Sequence, residues 1–178
     1  MPHADLDHRL ARVRLLLTDV DGVLTDGGIT WAADGTEAKT FHIRDGLALR
    51  AWQRAGGRVG IVTGRSSRVV ELRAAELGIG IVRQGVEDKV ATSAAILAEC
   101  GCAWEETAFI GDDLPDLPVM RRCLGIAVAD ACAEVREAAA FVTALPGGRG
   151  AVREAVERLL RTRGEWEAIV AGYDGPRN

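Results

Sequence analysis

Asp19 and Asp21 stand two residues apart in the segment Asp19-Val20-Asp21-Gly22-Val23-Leu24-Thr25, directly after an apolar run at 13–17. Such a run reads as a buried strand of a parallel sheet, which puts both carboxylates at a strand's end. There they can share one divalent cation, and one can attack phosphorus while the other handles a proton. A carboxylate that accepts a phosphoryl group needs a metal to offset charge repulsion, and the departing alkoxide needs a proton from a neighbouring acid. An EF-hand loop also contains Asp-x-Asp, but with Gly in the sixth place and Glu in the twelfth. Counted from Asp19, Gly22 is fourth here and the twelfth residue is Thr30. A plain acidic turn is the remaining alternative.

Ligands of open parallel sheets bind at strand ends, so the residues after the other strands decide between these readings. Thr63-Gly64-Arg65-Ser66-Ser67 follows the apolar run 59–62. A hydroxyl and backbone N–H groups near a helix start can hold phosphoryl oxygens, although Thr63 alone could be a helix cap. Lys89 follows Glu87-Asp88 at the start of an expected helix, where a positive charge opposes the helix dipole. An ammonium beside a phosphorylated aspartate would offset its charge; the plain alternative is a solvated lysine paired with Glu87 or Asp88. Lys39 and Lys89 are the only lysines among 22 basic residues, in a chain that otherwise writes Arg. A compact ammonium is what distinguishes them. Gly111-Asp112-Asp113-Leu114-Pro115-Asp116 ends a fourth apolar run, 107–110. Three carboxylates so close repel one another unless a cation sits among them. Asp112 is the candidate for direct coordination, with Asp113 and Asp116 as outer groups that orient water or the lysine. An oxygen-only site that keeps waters suits Mg²⁺.

The elements that must position these residues alternate. Strand-like runs at 13–17, 58–62, 79–82, 107–110, 124–128 and 141–143 are separated by helical patterns near 47–55, 67–77, 89–100, 116–122, 133–139 and 151–162. That alternation predicts an α/β fold, a doubly wound parallel sheet covered on both faces. Gly56-Gly57, Gly78 and Gly101 sit where helix C-caps are expected. Residues 28–43 break the pattern: Asp34-Gly35 between two β-favouring arms reads as a β-hairpin inserted after the first acidic motif, standing near the mouth of the site. One domain over 1–163 and a tail at 164–178 follow, the tail carrying a short Trp166, Ile169, Val170 patch.

Composition narrows the class further. A net charge of −4 and a pI near 5.4 argue against a nucleic-acid surface. No apolar run approaches the roughly 18 residues that span a bilayer, and the first residues lack a secretory pattern, so a cytoplasmic location with no membrane partner is expected. Cys100, Cys102, Cys123 and Cys132 show no metal-binding spacing and read as small buried hydrophobes.

Asp19-x-Asp21, Thr63, Lys89 and Gly111-Asp112-Asp113-x-x-Asp116 resemble the four motifs of the haloacid dehalogenase superfamily of phosphohydrolases. Longer blocks at 16–26, 39–46, 63–65, 111–120, 127–131 and 147–154 are similar to its capless subgroup acting on 3-deoxy-D-manno-octulosonate 8-phosphate, a lipopolysaccharide precursor. The resemblance spans about 12–160 and implies a Rossmann-like fold without a cap domain. It also implies Asp19 as nucleophile, Asp21 as general acid and base, and Mg²⁺ held by Asp19, the Asp21 backbone carbonyl and Asp112. Thr63 and Lys89 would bind the phosphoryl group. Lys39, Arg44, Gly64 and Arg65 are the candidate groups for a small phosphorylated sugar acid, with structural ion pairs as the alternative for Lys39, Arg44 and Arg65. A homotetramer is implied, with hairpins and tails covering neighbouring sites. His42 stands where the subgroup usually has Asn. A related nine-carbon ulosonate 9-phosphate or another small sugar phosphate is the alternative substrate, and a non-catalytic assembly or regulatory module the alternative of another class.

Overall fold

The computed structural model describes residues 3–174. At its centre is strand β1 (Leu15–Thr18), whose four residues are all buried. Leu15, Leu16 and Leu17 alternate between the two faces and are each 0% exposed. That burial is worth roughly 2 kcal/mol per side chain, so it pins the strand that carries Asp19. The remaining strands of the sheet are β4 (Arg58–Val62), β5 (Ile81–Arg83), β6 (Thr107–Gly111), β7 (Leu124–Ala127) and β8 (Phe141–Val142). They lie in the order β5-β4-β1-β6-β7-β8, and every neighbouring pair is parallel. The chain winds outward from β1 to β5, then returns to β6 on the other side. The turning point therefore falls beside β1, where crevices form in such sheets.

Helices α1 (His3–Ala11), α2 (Ile43–Arg54), α3 (Arg68–Leu77), α7 (Ala151–Thr162) and α8 (Trp166–Asp174) form one contacting group. Helices α4 (Lys89–Cys100), α5 (Leu117–Met120) and α6 (Ala133–Ala138) form the other. In α7, Val152, Ala155, Val156, Leu159 and Leu160 are buried at helical spacing, and this stripe packs on α2. The expected doubly wound α/β fold is the one observed. The hairpin is present as well, with β2 (Thr30–Trp31) antiparallel to β3 (Glu37–Ala38). Its turn is closed by the Asp34 carboxylate, which accepts from Thr36 N at 2.9 Å, and by Gly35 at φ 84°.

Several boundaries move for identifiable reasons. The expected strand 79–82 starts only at Ile81, because Ile79 N donates to Ala74 O at 2.9 Å in the cap that closes α3 around Gly78. The expected helix 116–122 is a 3-10 turn, Leu114–Asp116, followed by the one-turn α5; Pro115 and Pro118 lack the donors a regular helix needs. Helix α1 was not evident from the sequence, although its Leu10 is fully buried. The tail forms α8, whose Trp166 is 6% exposed under the Arg153 guanidinium at 4.5 Å; residues 175–178 lie outside the described part. Only Cys123 is buried, whereas Cys100, Cys102 and Cys132 are partly exposed, so the reading of four buried cysteines is corrected for three of them. Each of these three lies at a helix end or in a loop. Among the described residues no helix is long and apolar enough to cross a membrane.

Candidate active site

The register of the sheet brings the strand-end motifs to one level. Thr18 lies opposite Ile61 of β4 and Ile110 of β6, and Asp19 N donates to Ile110 O at 3.1 Å. Asp19, Thr63 and Asp112 therefore leave three adjacent strands side by side. Beyond β1 the chain turns at once: Leu24 N and Thr25 N both donate to Val20 O, at 2.9 and 3.0 Å. The buried Thr25 hydroxyl accepts from Gly27 N at 3.2 Å, inside the same loop. Gly22 has φ 90°, and a Cβ there would run into the Asp112 carboxylate. The two acidic loops are thus in contact only because this residue has no side chain.

Asp19 accepts from Val20 N through Oδ1 at 2.7 Å and faces the Lys89 ammonium through Oδ2 at 2.9 Å. Lys89 is the first residue of α4, behind an Asp88 cap that accepts from Val90 N and Ala91 N. Its side chain turns inward, is 4% exposed, and donates to Asp116 Oδ1 at 2.5 Å. The solvated pairing with Glu87 or Asp88 is not what forms. Burial works against the charge of Lys89, but Asp116 and Asp19 outweigh it and hold the ammonium above its ordinary pKa. Asp116 is itself fully buried, and its Oδ2 accepts from Asp112 N at 3.0 Å and Asp113 N at 3.5 Å. Its oxygens are committed to orienting the lysine and the loop.

Oxygens of Asp19, Asp112 and Asp116 lie within 4.8 Å of one another. Burial, reinforced by Asp116, Asp19 and Asp113, pushes the Asp112 carboxyl up to about 8. A carboxylate so disfavoured in its charged form is the group a cation would stabilise. With only oxygen donors available, the set fits Mg²⁺. Asp113 is exposed and caps the 3-10 turn through Leu114 N at 2.8 Å; it does not meet Lys89.

Thr63 is 2% exposed and is held by its backbone, N to Arg83 O at 3.0 Å and O from Val86 N at 3.1 Å. Gly64 follows it at the surface. The hairpin supplies the facing wall. Lys39 donates to Asp21 Oδ1 with its side chain 1% exposed, and Arg65 Nε stands 3.4 Å from Asp21 Oδ2. Lys39 and Arg65 are therefore both at the site, whereas Arg44 is exposed on the first turn of α2 and forms no ion pair among the described residues. His42 occupies the N-cap of α2 without a side-chain cap bond, a place where Asn would accept from the helix. Sequence reasoning missed Glu37, which pairs with Arg65 at 2.9 Å and with Lys39 at 3.5 Å. The available signal was its position two residues before Lys39, on the same face of one hairpin arm.

This is the layout of a haloacid dehalogenase-like hydrolase, and the model of that family matches residues 73–152. A 3-deoxy-D-manno-octulosonate 8-phosphate phosphatase of Yersinia pestis is 43% identical over 164 residues, 92% of this chain and 88% of the relative. The enzyme of the same name from Escherichia coli K12 is 42% identical over 163 residues, 91% and 87% of the two chains. A Moraxella catarrhalis phosphatase of that name, crystallised with magnesium, phosphate and its sugar acid, superposes with a TM-score of 0.94 at 38% identity, covering 97% of this chain and 99% of that one. The cobalt-bound Haemophilus influenzae enzyme gives 0.90 at 36%, covering 94% and 99%. The chain belongs to the 3-deoxy-D-manno-octulosonate 8-phosphate phosphatase family.

Proposed function

We propose that this protein is a Mg²⁺-dependent phosphomonoesterase that hydrolyses 3-deoxy-D-manno-octulosonate 8-phosphate to the free sugar acid and phosphate. The observation that carries this reading is the packing of the Asp19 carboxylate between Lys89 and the Asp112 loop, with Asp21 two residues on and facing a cationic wall. Asp19 attacks phosphorus in line, forming an aspartyl phosphate as the bond to the sugar oxygen breaks, and Asp21 gives its proton to that oxygen. Asp21, now a carboxylate, takes a proton from water, whose oxygen attacks the aspartyl phosphate and restores Asp19. Thr63 and the backbone N–H groups after it hold the phosphoryl oxygens, and Lys89 offsets their charge. Mg²⁺ held by Asp19, Asp112 and the Asp21 carbonyl would supply further charge compensation there. Lys39 and Arg65 face the sugar acid, with Gly64 and Arg44 at the margin.

The cytoplasmic location and the tetramer belong to the same reading. Exposed Ile29 (55%) and Trp31 (58%) on the hairpin arm, and Ile43 (81%) at the start of α2, support an interface between copies. The test is phosphate release from the eight-carbon 8-phosphate with and without Mg²⁺, beside a nine-carbon ulosonate 9-phosphate. Turnover of the first that vanishes in Asp19→Asn is expected. Faster turnover of the second would reassign the substrate, and no turnover of either would make the protein a non-catalytic module.

A further inference from the structure

Two cations and two carboxylates alternate around the mouth of the site. Asp21 meets Lys39 through Oδ1 and Arg65 Nε through Oδ2 at 3.4 Å. Glu37 meets the same two partners, Arg65 Nη2 at 2.9 Å and Lys39 Nζ at 3.5 Å, both through Oε1. Its other oxygen, Oε2, accepts from the Ser67 hydroxyl, and Ser67 is 7% exposed at the start of α3. The ring thus ties the hairpin to the core through a side chain that no step of the proposed reaction uses.

The geometry of the guanidinium shows what Glu37 does. An arginine with one free carboxylate nearby takes it with two parallel N–H groups, a strong bidentate clamp. Here Nη2 is hydrogen-bonded to Glu37 at 2.9 Å, while Nε lies 3.4 Å from Asp21 Oδ2 and makes no hydrogen bond, so Asp21 escapes the clamp. Lys39 is shared between the same two carboxylates, and its flexible stem has no orientation of its own. A buried ammonium also requires a counterion beside it, and Glu37 provides one that takes no part in the reaction. A two-stranded ribbon with two-residue arms is marginal by itself, so the Ser67 contact also decides where the hairpin rests.

We infer that Glu37 is a positioning residue, holding Lys39 and Arg65 apart from full engagement with Asp21 and fixing the hairpin over the site so that both cations can face a sugar acid. The inference deepens the phosphatase reading and rests on it for the identity of the substrate. The Ser67 hydrogen bond, with Arg65 and Lys39 behind it, holds the Glu37 carboxyl below its usual range against the effect of burial, in keeping with a permanently charged strut.

The test is Glu37→Gln, which keeps the shape and an acceptor for Ser67 but removes the charge. With the sugar acid phosphate, kcat/KM should fall by about tenfold or more, the scale of a lost positioning contact. With p-nitrophenyl phosphate, whose phenolate leaves unprotonated and carries no sugar groups, the change should stay within about twofold. In the substrate-free protein, limited proteolysis should nick the turn at 32–36 faster in Glu37→Ala, which removes the Ser67 acceptor as well as the charge. Equal losses on both esters would show a merely structural role, and unchanged proteolysis would remove the anchoring contact; either overturns the inference. A wild-type protein inactive on both esters would instead refute the phosphatase reading, and the proteolysis comparison would still decide the Glu37 contact.

Discussion

The Lys89 ammonium lies 2.9 Å from the Asp19 carboxylate, although Lys89 opens a helix and is only 5% exposed. A cation at a helix N-terminus is opposed by the dipole, and burial adds a desolvation cost. Two buried carboxylates offset both, so the lysine is held by the same groups whose reactivity it would modulate. Lys89→Met leaves Asp116 as an uncompensated buried charge, and removing one partner of such a pair costs about 3–5 kcal/mol. Urea denaturation should show that loss. Adding Asp116→Asn should restore much of the stability while phosphate release stays abolished, because the phosphoryl group has still lost its cation.

Metal removal separates the acidic cluster from the rest of the fold. Chelation with EDTA should abolish turnover, and added Mg²⁺ should restore it. At about a hundred times its dissociation constant the ion should stabilise the wild type by about 2.7 kcal/mol, read as a rise in melting temperature. Asp112→Asn should lose that rise. Without metal, the same variant should be more stable than the wild type, since it removes one of the carboxylates that crowd Asp19 and Asp116.

Asp45 gives a pH dependence remote from the chemistry. Its Oδ1 accepts from Arg153 N at 2.7 Å at the start of α7, but its Oδ2 is buried without a partner. Burial raises its carboxyl above the ordinary value of 3.8. The folded state then holds the proton more tightly than the unfolded state. Its contribution to stability declines as pH rises from near 3.8 through the raised folded value, and the whole penalty is present above that. Asp45→Asn should gain on the wild type over that window in urea denaturation series run from pH 4 to 7. A difference that shrinks with rising pH would contradict the sign.

How much of this was legible follows from the range of each interaction. Asp19, Thr63, Lys89 and Asp112 could be found because each ends an apolar run or opens a helix, and a parallel sheet brings such positions together whatever the details of packing. The hairpin was legible from Asp34-Gly35 for the same local reason. Glu37 was not, because its partners Arg65 and Ser67 are 28 and 30 residues away and only the docked hairpin makes them neighbours. Nor was the part of Asp113, since its position in the motif does not show whether the side chain turns to the lysine or caps the next turn. Helix α1 escaped notice because nine residues with many charges have little periodicity to read.

Gly147 carries the last prediction, at a residue that touches neither the acidic cluster nor the hairpin. Its N–H donates to Asp130 Oδ1 at 2.9 Å, and Gly148 N donates to Val23 O at 2.9 Å, so the loop after β8 is stitched to the loop after β1. Glu154 holds that loop from behind, accepting from Ala144 N at 2.8 Å and Leu145 N at 3.0 Å. A Cβ on Gly147 would strike the Gly22 carbonyl, a backbone group with little freedom to move. Gly22 in turn touches Asp112 and follows Asp21, so the displacement passes into the site. Gly147 does not have a positive φ, so Gly147→Ala adds no backbone strain and tests the steric contact alone. Overpacking of this kind costs about 1–3 kcal/mol. A misplacement of about 1 Å at reacting groups can cost about a hundredfold in rate. The variant should therefore stay folded, with a modestly lower melting temperature, and lose about a hundredfold in kcat on both the sugar acid phosphate and p-nitrophenyl phosphate. Steady-state kinetics on the two esters check it, because displacement of the Asp19–Asp21 loop affects every substrate whereas a defect in sugar recognition would spare the aryl ester.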